Sequence, residues 1–416
     1  MANDASTAVA ADGADLLALV ELALGEAKSL GAAQAEAAIS MDVGLSVSVR
    51  LGEAETIEYQ RDRGMAVTVY FGTRKGSAST ADLSAGALRE TVAKACSIAR
   101  FTAEDPCAGI ADPDTLATDI PDLDLAHPWD VTPERACEIA LECEAAALAV
   151  DPRITNSEGA GVSTHRGVRA YGNSHGFLAA YPGTVHSLSC AVVGVEGEEM
   201  ERDYWYSTVR DWRELEAAAA VGRTSGERAV RGGSQYRRAS FLLDAAGQQV
   251  FPDWFAISER PHLRGALASA PFDHEGVATC DRELVTGGLL LGYVLGTYSA
   301  RKLGLRTTGN AGGTHNLIVH GRGRDLDGML ALMGRGLLVT ELMGQGVNGV
   351  TGDYSRGAAG FWVEDGRIAY PVHEVTIAGN LRDIYRSIVE VGSDVDVRGG
   401  IRTGSILVEQ MTVAGA

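Results

Sequence analysis

The chain has 416 residues, with 36 Lys and Arg against 55 Asp and Glu, a net charge of −19. A surface this acidic repels phosphate backbones, so direct binding to DNA or RNA is not expected. A hydrophobic fraction of 45% and a mean hydropathy close to zero exclude a disordered chain. The 51 glycines follow no repeat period, which points to many turns and close backbone approaches rather than to collagen or a linker.

Asp15–Leu30 reads as an amphipathic helix closed by Gly31. Leu45, Val47, Val49 and Leu51 then alternate with polar or small residues, the period of a half-buried strand. Met65, Val67, Val69 and Phe71 repeat it after a turn expected at Asp62–Gly64, and Lys75–Thr80 makes a third strand. Ser84–Phe101 returns to helical spacing, with Leu88, Val92, Cys96 and Ala99 on one stripe. The first hundred residues therefore form an α+β unit around an antiparallel meander.

Residues 103–130 are rich in Asp and Pro and read as a surface connection. Thr132 caps a helix with Pro133 at its first position, running to about Val150. Arg153–Thr208 reads as short strands split by glycine turns, best fitted by a long meander or curved sheet. Asp211–Arg231 is partly helical. Beyond it lie Gly-flanked strands and two helices, at about Asp325–Met333 and Leu381–Val391. The expected fold is α+β. An N-terminal α+β region covers 1–225, in subregions of about 1–102 and 120–225, and a mainly antiparallel β domain covers 226–416.

The six cysteines are widely spread, form no CxxC pair and read as reduced thiols. Met1–Asp15 lacks a basic segment before an apolar run, and no stretch offers about 18 uncharged apolar residues, so neither a secretory signal nor a membrane span is expected. The expected location is cytoplasmic.

Nine histidines are present, and two precede glutamate, at His274–Glu275 and His373–Glu374. A zinc-binding helix needs a second histidine one turn later, and neither pair has one, so no metal or catalytic residue is assigned. No nucleophile elbow or phosphate loop is found; "GNAGGTHN" (309–316) and "GQGVNGVTGD" (344–353) read as tight turns. One polar cluster stands out in residues 340–366: Glu341, Gln345, Asn348, Asp353, Tyr354 and Arg356 among many glycines. It reads either as a surface loop closed by an Asp353–Arg356 ion pair or as a binding loop on a β scaffold, with His315 as a further candidate contact.

"VTELMGQGVNGVTGDYSRGAAGFWVEDG" strongly resembles the TldD/PmbA family, in its PmbA (TldE) branch. "GSASTADLS" (76–84), "YGNSHGF" (171–177), "SFLLDAAGQQVFPDW" (240–254), "TYSARKLGLRTTGNAGGTHN" (297–316) and "YPVHEVTIAGNL" (370–381) carry the resemblance along nearly the whole chain. It implies a cytoplasmic zinc protease of two related subunits acting on extended or unfolded peptides. The TldD-type partner binds zinc through an H-E-x-x-x-H helix; the PmbA-type chain lacks that helix, holds no cofactor and shapes the peptide chamber. An open sheet edge could hold such peptides by strand addition. One departure is visible. PmbA-type chains carry a longer segment before the stretch matching "YRRASFLLD", where this chain reads only "GERAVRGGSQYRR" (226–238). Two other readings are a regulatory protein-binding module and a hydrolase with a scattered site of its own.

Overall fold

The computed structural model describes residues 2–196, 199–229, 245–344, 346–348 and 351–415. Helix α1 (Ala2–Ser29) begins well before the expected Asp15, in an alanine-rich stretch with high intrinsic helix propensity. Strands β1 (Gln34–Arg50), β2 (Glu53–Phe71) and β3 (Arg74–Thr80) follow, then helix α2 (Ala85–Phe101), capped by the Ser84 hydroxyl. After the Asp/Pro connection come α3 (Pro133–Leu148), β4 (Ile154–Asn173), β5 (Leu178–Glu196), β6 (Glu199–Val209) and α4 (Ala218–Ala229).

The six long strands form one antiparallel sheet in the order β3-β2-β1-β4-β5-β6. No turn occurs at Asp62–Gly64. The chain reverses at Leu51 and Gly52, both at positive φ, and Asp62 and Gly64 lie inside β2, paired with Asp42 and Ser40. Continuous pairing with β1 outweighs the local turn signal. Arg153–Thr208 likewise folds as three long strands rather than short ones. Gly167 is a mid-strand residue, where a Cβ would collide with the Asp42 carboxylate and the Met41 carbonyl of β1.

Two cores cover this sheet. Leu16, Val20 and Ala23 of α1 and Leu88, Val92 and Cys96 of α2 pack on Ile39, Met65 and Val67. Ala136, Ala140 and Cys143 of α3 and Val221 of α4 pack on Leu45, Val47, Val162 and Leu188. Each fully buried aliphatic side chain of this kind contributes about 1.5–3 kcal/mol.

The C-terminal region contains β7 (Ile257–Glu259), β8 (Arg282–Thr286), β9 (Leu289–Leu290), α5 (Thr297–Lys302), β10 (Leu317–Val319), α6 (Leu326–Met333), β11 (Gly336–Met343), β12 (Asp353–Glu364) and β13 (Arg367–Asn380). It ends with α7 (Leu381–Arg386), β14 (Ile388–Val391), β15 (Ile401–Arg402), β16 (Ile406–Val408) and β17 (Thr412–Ala414). The helix expected over Leu381–Val391 is therefore half its expected length. It stops at Ser387, and Ile388–Val391, rich in β-branched residues, pairs with β16. A five-stranded sheet, β15-β10-β7-β8-β9, includes one parallel pair, β10 with β15; β11-β12-β13-β17 is antiparallel. The α+β class holds.

Guanidinium groups tie the two regions together. Arg301 donates to the carbonyls of Gly109 and Ile110, and Arg210 to those of Ala266 and Leu267. Arg398 stacks over Trp205, 3.7 Å from the ring centroid, and donates to the Tyr206 carbonyl.

Candidate functional site

A cavity of about 650 Å³ opens where these regions meet. Its floor is the sheet face opposite α1 and α2, made of the small residues Ala38 and Ser40 of β1 and Ala66 of β2. Arg169 and Tyr171 of β4 and Tyr181 of β5 rise around it, Arg63 of β2 borders it at the sheet edge, and the loop Phe272–His274 closes the far wall. Phe272 meets Tyr181 edge-on at 5.3 Å between ring centroids and Phe177 at 5.0 Å, giving that wall a rigid aromatic base.

The neighbouring carboxylates are engaged. Glu36 accepts from the hydroxyls of Tyr171 (2.9 Å) and Tyr70 (3.1 Å); burial raises its pKa, and those bonds oppose the shift. Asp273 accepts from the backbone N–H of Glu275, Val277 and Ala311, yet burial pushes its pKa up to about 6. Glu275 accepts from the Thr297 N–H. Arg63 makes no ion pair with the described residues, and Arg169 Nη1 donates to His274 Nε2 at 3.0 Å. That bond requires an unprotonated Nε2, and burial and the Arg169 charge both lower the His274 pKa. The Arg169 guanidinium therefore turns a positive charge toward the cavity. The arrangement suits an extended ligand with anionic groups, held over a flat, small-residue floor.

The loop "GNAGGTHN" buttresses His274. Gly312, at φ +100, lies so close that a Cβ would enter the imidazole ring. The loop is held from behind by Glu259, which is 1% exposed. Glu259 accepts from Asn310 Nδ2, the His315 N–H and Arg282 Nε, and Arg282 also donates to Asn310 Oδ1. Burial would raise the Glu259 pKa, but the bonds from His315 and Arg282 outweigh it and hold it at about 2.

His315 thus serves this buried network, 3.4 Å from Glu259 through Nδ1, and is not part of the 341–356 cluster. Glu341 lies on β11 opposite Ala359. Asn348 binds back to the Asp353 carbonyl through its N–H. The expected alternative of an Asp353–Arg356 ion pair is not formed: Asp353 accepts from Thr351 and Asn380, while Arg356, 5% exposed, donates to the carbonyls of Leu342 and Gly344. Strand alternation separates them, because Asp353 faces solvent and Tyr354 packs with Val375 and Ile377. Gln345 lies outside the described residues. Tyr354 and Arg356 therefore both lie on the inward face of β12. The cavity residues Arg63, Arg169, Tyr171, Tyr181 and His274 were not singled out as a site from the sequence. They are spread over four segments, and only Tyr171 and His274 stood in motifs that drew notice.

Among the described residues, no side-chain group fits a resident zinc ion. The residues after His274–Glu275 and His373–Glu374 supply no further ligand, and among the described residues no group of three or more His, Cys, Asp or Glu could hold a metal ion.

Comparison with known proteins agrees with the fold and the motifs. The PmbA/TldA metallopeptidase domain 1 model matches residues 35–99, the central domain model 126–232 and the C-terminal domain model 216–415. The chain belongs to the PmbA/TldA metallopeptidase family. It is 48% identical over 427 residues to the metalloprotease PmbA of Escherichia coli, covering 95% of this chain and 94% of the relative. It is 46% identical to the metalloprotease PmbA homolog of Haemophilus influenzae, covering 92% of each. A solved structure from Bacteroides thetaiotaomicron, described as a putative modulator of DNA gyrase, superposes with a TM-score of 0.89 at 26% identity, covering 96% of this chain and 98% of that one. TldE from Thermococcus kodakarensis shares the fold, with a TM-score of 0.80 at 18% identity over 95% of this chain and all of that one. The E. coli alignment runs over 427 positions although this chain of 416 residues is 95% covered, so the relative carries internal residues that this chain lacks. The short segment noted at 226–238 falls largely in 230–244, outside the described residues.

Proposed function

We propose that this chain is the non-catalytic PmbA/TldE-type subunit of a cytoplasmic, heterodimeric zinc metalloprotease. Its partner is a TldD-type chain that holds the zinc ion, and the junction cavity is the surface on which an extended or unfolded peptide lies. The observation that carries this reading is that the chain matches the metallopeptidase family over nearly its whole length while its sequence has no H-E-x-x-x-H motif. The zinc supplies the Lewis acid and the activated water in the partner. This chain's residues bind and orient: Arg63 and Arg169 attract carboxylates of the substrate, Tyr171 and Tyr181 contact its side chains, and the alanine floor admits a backbone closely. A peptide-cleavage assay with this chain, a TldD-type chain and the mixture tests the reading, with metal content measured on each. Cleavage by the mixture and none by this chain agrees with it; cleavage by this chain alone contradicts it.

A further inference from the structure

Ser40, Arg169 and Tyr181 stand in one row across the long sheet. Arg169 of β4 pairs directly with Ser40 of β1 on one side and with Tyr181 of β5 on the other. Directly paired residues share a sheet face, and all three line the cavity. The guanidinium is held at one corner, because Nη1 donates to His274 Nε2 at 3.0 Å. That leaves Nε and Nη2, the side-on fork that matches the two oxygens of a carboxylate. Among the described residues Arg169 forms no ion pair. The Tyr181 ring lies edge-on to Phe272 at 5.3 Å between centroids, and Tyr171 completes an aromatic corner. The adjoining row on the same face holds Ala38 and Ala66, which leave room for a backbone.

We propose that this corner captures the free C-terminal α-carboxylate of a peptide whose last residue is aromatic or large and apolar. The proposal rests on the reading of the cavity as the peptide surface, and names the end of the peptide held there. Directly opposed residues on neighbouring antiparallel strands have Cβ atoms about 4.5–5.5 Å apart. A terminal residue carries its carboxylate and its side chain on a single Cα. It therefore sets the first on Arg169, with the Ser40 hydroxyl as a further donor, and the second on the Tyr181 and Phe272 rings. An internal Asp or Glu matches the pair less well. Its side chain is spent on Arg169, and its same-face neighbour in an extended chain lies about 6.8 Å further along. The preceding residues of the peptide cross Ala38 and Ala66 toward Ser79 of β3. The nearby acids do not oppose an incoming carboxylate freely: Glu36 is held by the hydroxyls of Tyr171 and Tyr70, and Asp273 by three backbone N–H groups.

The test is fluorescence anisotropy on the full chain with one N-terminally labelled peptide made in several forms. These end in Phe as the free acid, in Phe as the amide, in Gly as the free acid, and in Phe as the amide with an internal Glu. The Phe acid should bind most tightly. Amidation, or Gly in place of Phe, should each weaken binding about tenfold, and the internal Glu should restore little of the loss. Arg169→Gln should erase the preference for acid over amide, and Arg169→Lys should retain part of it. Tyr181→Ala should erase the preference for Phe over Gly and keep the preference for acid. The wild-type series decides by itself where a variant does not fold. Equal binding of acid and amide, of Phe and Gly, or of internal Glu and free end overturns the proposal while leaving the cavity as the peptide surface. Binding of none of these peptides overturns both.

Discussion

Arg169 and His274 are 105 residues apart, and a single hydrogen bond of 3.0 Å between them joins the long N-terminal sheet to the loop that closes the cavity. The guanidinium donates and the neutral imidazole accepts, so the bond also keeps a positive charge turned toward the cavity mouth. Replacing Arg169 by Ala removes both the latch and the charge. Binding of an acidic peptide, followed by fluorescence anisotropy, should weaken by about tenfold, and Arg63→Ala should weaken it comparably without disturbing the latch. Added salt should reduce wild-type binding more than that of either variant.

The sequence made the sheet legible because β1 and the second half of β2 alternate cleanly, with Leu45, Val47, Met65 and Val67 all buried. The Asp62–Gly64 turn failed because a residue's local preference says nothing of the strand opposite it. Leu381–Val391 failed for a similar reason: the β16 partner that claims Ile388–Val391 lies some fifteen residues further on. The family motif around 340–366 was plain, but its roles were not. Whether Arg356 meets Asp353 or two carbonyls depends on which strand face each occupies. The cavity was invisible because its residues share no spacing and meet only when β1, β2, β4, β5 and the 272–274 loop are assembled.

Glu259 is a buried carboxylate on which three donors converge. Glu259→Ala leaves Arg282, 19% exposed at its side chain, without its acid, and should cost about 3–5 kcal/mol in urea unfolding. The folded pKa of about 2 lies below the ordinary 4.5, so the Glu259 contribution is complete above pH 4.5 and is lost as the pH falls toward 2. In the variant the stability curve should lose that part of its acid slope.

Asp273 titrates with the opposite sign. Its folded pKa of about 6 lies above the ordinary 3.8, so the folded state binds the extra proton, and this group's penalty is relieved as the pH falls from 6 toward 3.8. Asp273→Asn keeps one acceptor but turns an amide donor toward another backbone N–H. It should cost about 1–3 kcal/mol in thermal or urea unfolding and remove that pH dependence. Backbone amide exchange at Ala311 should rise with it.

Gly312 combines a left-handed backbone with contact to the His274 ring. Gly312→Ala should destabilise the chain by about 1–3 kcal/mol, through strain at φ +100 and displacement of the imidazole. Its peptide binding should fall as in Arg169→Ala, whereas Gly313→Ala, at positive φ with open space around it, should show the strain without the loss of binding.

The central claim is that this chain completes a protease whose metal lies in another subunit. The most direct measurement is size-exclusion with in-line zinc analysis and peptide cleavage, on this chain, a TldD-type chain and their mixture. The account predicts a mixed complex that elutes together, carries zinc held by the TldD-type chain and cleaves unfolded peptide, with neither metal nor cleavage in this chain alone. Stoichiometric zinc and cleavage in this chain by itself, or a failure of the two chains to associate, would contradict it.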